Sequence, residues 1–264
     1  MIEFEDTSVA REAPDPLSFA LGWREFDTPR MVTAAIAAGN CALTYQPVKR
    51  REDEATAFYE GLIRLKDHSG RLLPAAAFID AVEETEIGRD LDTLALRLAF
   101  DMLRENGGMR LSVNVSARSL GDRAWRRTLE DNLSSHPMLG ERLILELTER
   151  SAMLLPELVL RFMEEMQPRG VAFALDEFGS GATSFRHLKR FYFDLVKLDR
   201  SFTANIHRDA DNQVMVQALL SIAHQFDMFA VATGVEKEEE AGWLRSAGMD
   251  CLQGYWIGTP RFSL

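Results

Sequence analysis

The sequence predicts an α/β fold of the (β/α)8, TIM-type barrel class. Three observations predict it. Roughly eight short apolar runs alternate with segments of helical periodicity from Arg30 onward. Runs such as VAFALDEF (171–178) and FAVATGV (229–235) are apolar on both faces, as parallel strands covered by helices should be. The chain has 264 residues and 46% hydrophobic content. That is close to the ~250 residues typical of such a barrel and enough for one large core.

Residues 1–28 stand outside this pattern. They are acidic, contain Pro14 and Pro16 and show no sustained period. They are expected to form a mobile or partly docked extension, leaving 29–264 for the barrel domain. RMVTAAIAAGN (30–40) reads as a short helix closed by Gly39-Asn40. CALTYQPVK (41–49) and ATAFYEGLIRL (55–65) read as strands. The stretch 74–106 is helical, in two pieces. RLSVNVSA (110–117) is a strand and SLGDRAWRRTLEDNLSSH (119–136) a helix. LILELTE (143–149) is a strand, followed by the helix LPELVLRFMEEMQPRG (155–170), which Pro168 and Gly170 end. VAFALDEF leads into the turn Gly179-Ser180-Gly181. FDLVKLD (193–199) is a strand and DNQVMVQALLSIAHQFD (211–227) a helix. MFAVATGV (228–235) is a strand, KEEEAGWLRSAG (237–248) a helix and DCLQGYWIG (250–258) the last strand. Nothing divides the chain into two domains.

The bulk numbers exclude several classes. A net charge of −11 argues against binding along a DNA backbone, although a small phosphate ligand is compatible with it. Cys41 and Cys251 form no C-x-x-C motif and lie in apolar runs, so they read as two buried thiols in a reducing compartment. The histidines lack the spacing of a zinc site. No apolar run is long enough to cross a membrane, and MIEFEDTSVA lacks the features of a signal peptide. A cytoplasmic protein is the expectation.

The runs YQPV, YEGLIRL, LSVNVSA, LILELTE, VAFALDEF, LVKLD and LQGYW carry polar groups that a buried strand should not. Glu60, Asn114, Glu146, Asp176, Lys197 and Gln253 sit late in six of them. An unpaired buried carboxylate is costly, so violations at matching places suggest convergence on one site at the C-terminal mouth of the barrel. Carboxylates, an amide and a lysine suit a hard divalent cation and a phosphate. Taken singly, Glu60 reads as a salt-bridge partner, Lys197 as the partner of Asp199, and Asn114 as a strand-end hydrogen bonder. EFGSGATSF lacks the full G-x-G-x-x-G and reads as a turn or interface loop. KEEE (237–240) reads as a solvated first helical turn, and Trp125, Trp243 and Met249 as core.

Taken in order, YEGLIRL, SVNVSAR, LELTE, LDEFGSG, VKLDRSF, ATGVE and QGYWIGTP closely resemble EAL domains over roughly 30–260. That family comprises bacterial cyclic-di-GMP phosphodiesterases and their inactive receptor relatives. The resemblance implies a modified barrel whose first strand runs antiparallel. It implies a first Mg2+ or Mn2+ held by Glu60, Asn114, Glu146 and Asp176. Lys197 would lie near the attacking water, with Glu236 and Gln253 in the catalytic set. Gln46, Leu62, Arg64 and Asp199 would line the cyclic-di-GMP pocket, the arginine at a phosphate. Glu149 would brace the loop after the fifth barrel strand. The same loop is used by relatives for dimerisation, so a homodimer and a protein partner belong to the expectation.

Two departures bear on function. The family's Asp-Asp-Phe-Gly is here Asp176-Glu177-Phe178-Gly179, and the first glutamate of its Glu-Gly-Val-Glu is Thr233. In active relatives these two positions hold a second metal together with Asp176. Leu65 also replaces a usual tryptophan, and Ser119 a common glutamine. One metal bound well and a second poorly or not at all is the expectation, with Glu177 a further candidate ligand. Three readings follow: a cyclic-di-GMP receptor with weak or absent hydrolysis, a working phosphodiesterase giving pGpG, and a ligand-free interaction module. No sensory or cyclase domain is expected beside the barrel, and input is expected through the extension, the dimer surface or a partner.

Overall fold

The computed structural model describes residues 28–67, 69–181 and 188–264. The acidic extension, His68 and the 182–187 part of the EFGSGATSF loop lie outside the described residues. Helix α1 (28–37) leads through Gly39, at φ 67°, into β1. β1 (Cys41–Arg50) and β2 (Thr56–Lys66) form a long antiparallel hairpin, in register from Cys41↔Leu65 to Val48↔Phe58 and shifted by a bulge before Lys49↔Thr56. The parallel series then runs from β2 through β4 (Leu111–Asn114), β5 (Leu143–Thr148), β6 (Ala172–Phe178), β7 (Leu195–Leu198) and β8 (Phe229–Ala232) to β9 (Cys251–Leu252). β9 returns to β1 antiparallel through Lys49↔Leu252 and Arg50↔Cys251. Eight strands therefore close a ring whose first member opposes the rest, as expected. β3 (Leu72–Pro74) hangs on the outer edge of β2 and was not expected.

Helices α2 (Glu86–Glu105), α3 (Arg123–Ser135), α4 (Glu149–Leu154), α5 (Pro156–Met166), α6 (Arg200–Thr203), α7 (Ala210–Gln225) and α8 (Glu238–Ala247) follow the strands. Local chemistry fixes their starts. Thr85 accepts from Ile87 N ahead of α2, and Asp122 accepts from Ala124 N and Trp125 N ahead of α3. Their apolar faces, including Phe100, Leu103, Trp125 and Leu129, pack outside the ring.

Several boundaries differ from expectation. The first helical piece of 74–106 is two 3-10 turns, Ala75–Ala77 and Ile79–Ala81. Glu149 opens α4 rather than closing β5, because Thr148 Oγ1 accepts from Ser151 N and caps a helix there. The last strand shrinks to two residues. A Cβ on Gly254 would come within 2.1 Å of Val235 O, a close approach that turns the chain out of the sheet. Cys41 is half-buried, not buried.

The interior is layered. Val48, Phe58, Ile144, Ala174, Leu195, Val231 and Cys251 pack together as an apolar floor, with buried Ser112 from β4. Two residues nearer the mouth, on each strand or just past its end, stand Gln46, Glu60, Asn114, Glu146, Asp176, Lys197, Thr233 and Gln253. Strand periodicity puts both sets on the inward face. Every strand of the ring thus gives one polar side chain to the same upper layer.

Candidate active site

The upper layer is a hydrogen-bonded ring around a buried ammonium. Lys197 Nζ, on β7, donates to Glu60 Oε2 at 2.8 Å and to Glu146 Oε2 at 2.6 Å. Their exposures are 2%, 5% and 1%, so this is an interior ion triad. It replaces the Lys197–Asp199 pair that single-residue reading allows. Asn114 Nδ2 donates to Glu60 Oε1 at 2.9 Å. Gln253 Nε2 donates to Glu60 Oε2 and, at 3.2 Å, to Gln46 Oε1. Gln46 Nε2 in turn donates to Gly258 O at 3.0 Å. Glu146 Oε1 and Gln253 Oε1 are buried without a hydrogen-bond partner.

Charge in this layer is unbalanced: Glu60, Glu146 and Asp176 face the one ammonium of Lys197. Burial and the Glu60 carboxylate push Glu146 up to about 8. Burial also raises Glu60, but the Lys197 ammonium wins and holds it below the usual range. For Lys197 the cost of burial is overcome by Asp176, Glu146 and Glu60, which keep it well above its ordinary value. Burial raises Asp176, with Lys197 pulling the other way. A second cation would relieve this excess, and the donors are hard oxygens, one of them unpartnered. The residues therefore fit a divalent ion by chemistry. Among the described residues no three carboxylate, histidine or cysteine side chains already form a cage for one, because Lys197 stands between two of the donors.

Two lobes open from this centre. One of about 400 Å³ is lined by Leu62, Ile79, Leu91, Asp92, Ser116 and Arg150. The other, of about 420 Å³, is lined by Gln46, Asp199, Arg200, Thr233, Glu236 and Tyr255. Glu60, Asp176 and Glu177 belong to both. Arg64 follows Leu62 on the same face of β2, half-buried, with Nη1 donating to Ile63 O; it lines neither lobe. Glu236 is exposed, and Asp199 caps α6 by accepting from Ser201 N.

The strand bearing Asp176 is bulged. The β6–β7 register passes from Leu175↔Val196 to Phe178↔Leu198, so Asp176 and Glu177 together oppose Lys197. Glu177 sits at φ 55° with its side chain exposed. Gly179 follows at φ 93°, its N–H donating to buried Glu149 Oε2 at 2.9 Å. That is the bracing contact anticipated for Glu149. Thr233 Oγ1 donates to Leu198 O at 2.7 Å, so its hydroxyl is anchored to the backbone.

Sequence reasoning missed Asp92, whose Oδ2 accepts from Ser119 Oγ at 2.6 Å and Ser116 N at 2.9 Å. It tethers the segment after Asn114 to α2. Its signal was a carboxylate on the apolar stripe Gly88-Leu91-Ala95. Arg150, Arg200 and Tyr255 were missed too, and nothing in their local pattern marks them. KEEE was misread at its last member. Glu240 is buried, its carboxylate accepting from Asn205 N, Glu236 N and Lys237 N. It fastens α8 to the turn that carries Glu236.

Comparison with known proteins bears on this geometry. A family model described as EAL domain matches residues 30–260. An uncharacterized signaling protein of Caulobacter vibrioides is 33% identical over 88% of this chain and 29% of its own length. A probable cyclic di-GMP phosphodiesterase of Escherichia coli, PdeN, is 29% identical over 88% of this chain and 45% of its own. The chain thus spans less than half of these relatives. Among solved structures, the PaMucR phosphodiesterase in complex with c-di-GMP superimposes with a TM-score of 0.82 at 26% identity, over 89% of this chain and 97% of that one. The FimX EAL domain from Pseudomonas aeruginosa, bound to c-di-GMP, gives 0.82 at 23% identity over 90% and 97%, a likeness of fold. Among the described residues no helix is long and apolar enough to cross a membrane.

Proposed function

Since the chain belongs to the EAL domain family, we propose that its two-lobed site recognises cyclic di-GMP and hydrolyses it weakly or not at all, as a receptor or signalling protein. The observation that carries this reading is the pair of near-equal lobes meeting at Glu60, Asp176 and Glu177. A ligand of two like nucleoside halves around a phosphate ring would fill both lobes and present phosphate at the centre. Leu62 and Gln46 supply one wall each. Arg64, farther out on β2 with Nη1 on Ile63 O, would have to swing inward to reach a phosphate, the role the family resemblance implies for it.

Glu60, Asn114, Glu146 and Asp176 would hold the first Mg2+ or Mn2+. Such an ion, when bound, acidifies water and neutralises charge on phosphoryl oxygens. In-line hydrolysis asks for two ions about 3.5–4 Å apart. The support for the second is poor. Thr233 brings no charge, and its hydroxyl, held on Leu198 O, offers only a neutral oxygen where a carboxylate would offer an anionic one. Glu177 is one methylene longer than aspartate, on left-handed backbone and exposed where the two lobes open. A misplacement of about 1 Å can cost on the order of a hundredfold in rate. Asn114 and Gln253 still orient Glu60, so binding survives better than turnover. Homodimerisation and a protein partner remain part of this proposal.

The test is to incubate the purified protein with cyclic di-GMP and Mn2+, follow linear product, and measure affinity by calorimetry in parallel. Clear binding with turnover far below 1 s⁻¹ is expected. Steady turnover near about 1 s⁻¹, a low but ordinary enzyme value, would make the protein a working phosphodiesterase. Neither binding nor product would leave the interaction-only reading.

A further inference from the structure

We propose that Lys197 is a built-in counterion that competes with the divalent cation for Glu60 and Glu146, so that cation loading and lysine position are coupled. The inference rests on the cation site assigned above. Both ion pairs recorded for Glu60 and Glu146 among the described residues come from one atom, Lys197 Nζ, at 2.8 and 2.6 Å. All three side chains are buried. Two neighbouring carboxylates in such a place need a positive charge to stay folded and ionised. Without a metal, Lys197 provides it.

A cation bound to Glu60 and Glu146 would use the oxygens that Nζ now holds. Two positive charges within about 3 Å in a poorly screened interior repel strongly. Lys197 must then give up at least one of its two contacts. Asp176 offers it an alternative. This carboxylate lies one strand away on β6, within the bulge that faces Lys197. It is less buried than the other two and stands where the lobes meet. Loading would therefore move the ammonium from the floor of the layer toward its open side. Lys197 serves as a fold-preserving plug without the ion and as a charge near the ligand with it.

The probe is the metal alone. Mn2+ would be titrated calorimetrically into the parent and into Lys197→Met, with melting temperatures recorded in both states. Releasing two charge-assisted hydrogen bonds and one repulsion should tighten Mn2+ binding by about tenfold or more. The metal-free variant should melt lower than the parent and regain most of the loss with Mn2+. Equal or weaker Mn2+ binding by the folded variant overturns the inference. Should the variant fail to fold, the parent decides. The lysine Nζ resonance of Lys197, assigned by NMR, should shift in step with Mg2+ occupancy. A resonance that stays still while calorimetry records Mg2+ binding overturns the proposal. If the parent binds neither Mn2+ nor Mg2+, the cation site itself falls, which is a separate failure.

Discussion

In the proposed reading, Thr233 and Glu177 are where this site parts from one that cleaves. Thr233, just past the end of β8, holds that strand's place in the upper layer, yet it offers only a neutral hydroxyl anchored on Leu198 O where a carboxylate would bring charge. Glu177 occupies a left-handed conformation that asparagine and aspartate tolerate better than longer side chains. Restoring both positions tests this directly. Thr233→Glu combined with Glu177→Asp should raise hydrolysis of cyclic di-GMP by roughly a hundredfold, the scale of about 1 Å of misplacement. Equal turnover by the repaired and parent proteins would mean the defect lies elsewhere or does not exist. Thr233 was readable in sequence only through the family resemblance, since threonine is an ordinary strand residue. The carboxylates of Glu60, Glu146 and Asp176 were visible on their own because each violates an apolar run.

At the scale of elements, the site depends on what ties strand ends to helices. Asp92 of α2 grips the segment after β4 through a single oxygen, Oδ2, which accepts from both Ser116 and Ser119. Burial pushes this carboxyl up to about 6 against an ordinary 3.8, with the two hydrogen bonds pulling back. The folded value lies above the unfolded one, so the proton favours the folded chain. That contribution is full at pH values below the ordinary 3.8 and is lost as pH rises through about 6. Asp92→Asn keeps an oxygen acceptor for both donors and cannot ionise. Relative to the variant, the parent should lose on the order of 1–3 kcal/mol of stability across this window. Parallel melting curves at pH 4 and pH 7 check this, and identical pH profiles would refute it. The helices and most strands were legible from periodicity. The end of β9 was not, since QGYWIG looks like a strand, and only the contact of Gly254 with Val235 turns it. Glu240 escaped notice because three glutamates in a row look solvated, and the donors that claim the last one come partly from a distant turn.

Across the whole molecule, one geometric rule organises fold and site together. Closing the ring with β1 reversed brings Gln46 and Gln253 to opposite sides of a seam, and the Gln46–Gln253–Glu60 chain spans it. An apolar floor supports a polar layer, and the layer carries more negative than positive charge. The class of fold and the convergence of six groups at one mouth could be inferred from the chain alone. The partition into two lobes, and the capture of Glu60 and Glu146 by one lysine, could not, because both arise from strand stagger and side-chain reach. As proposed, a single cation anchorage is intact while its neighbour is damaged. Anomalous diffraction from crystals soaked with Mn2+ and cyclic di-GMP tests it most directly. One strong peak among Glu60, Asn114, Glu146 and Asp176 is the predicted result; two fully occupied ions bridged by Asp176 would contradict it.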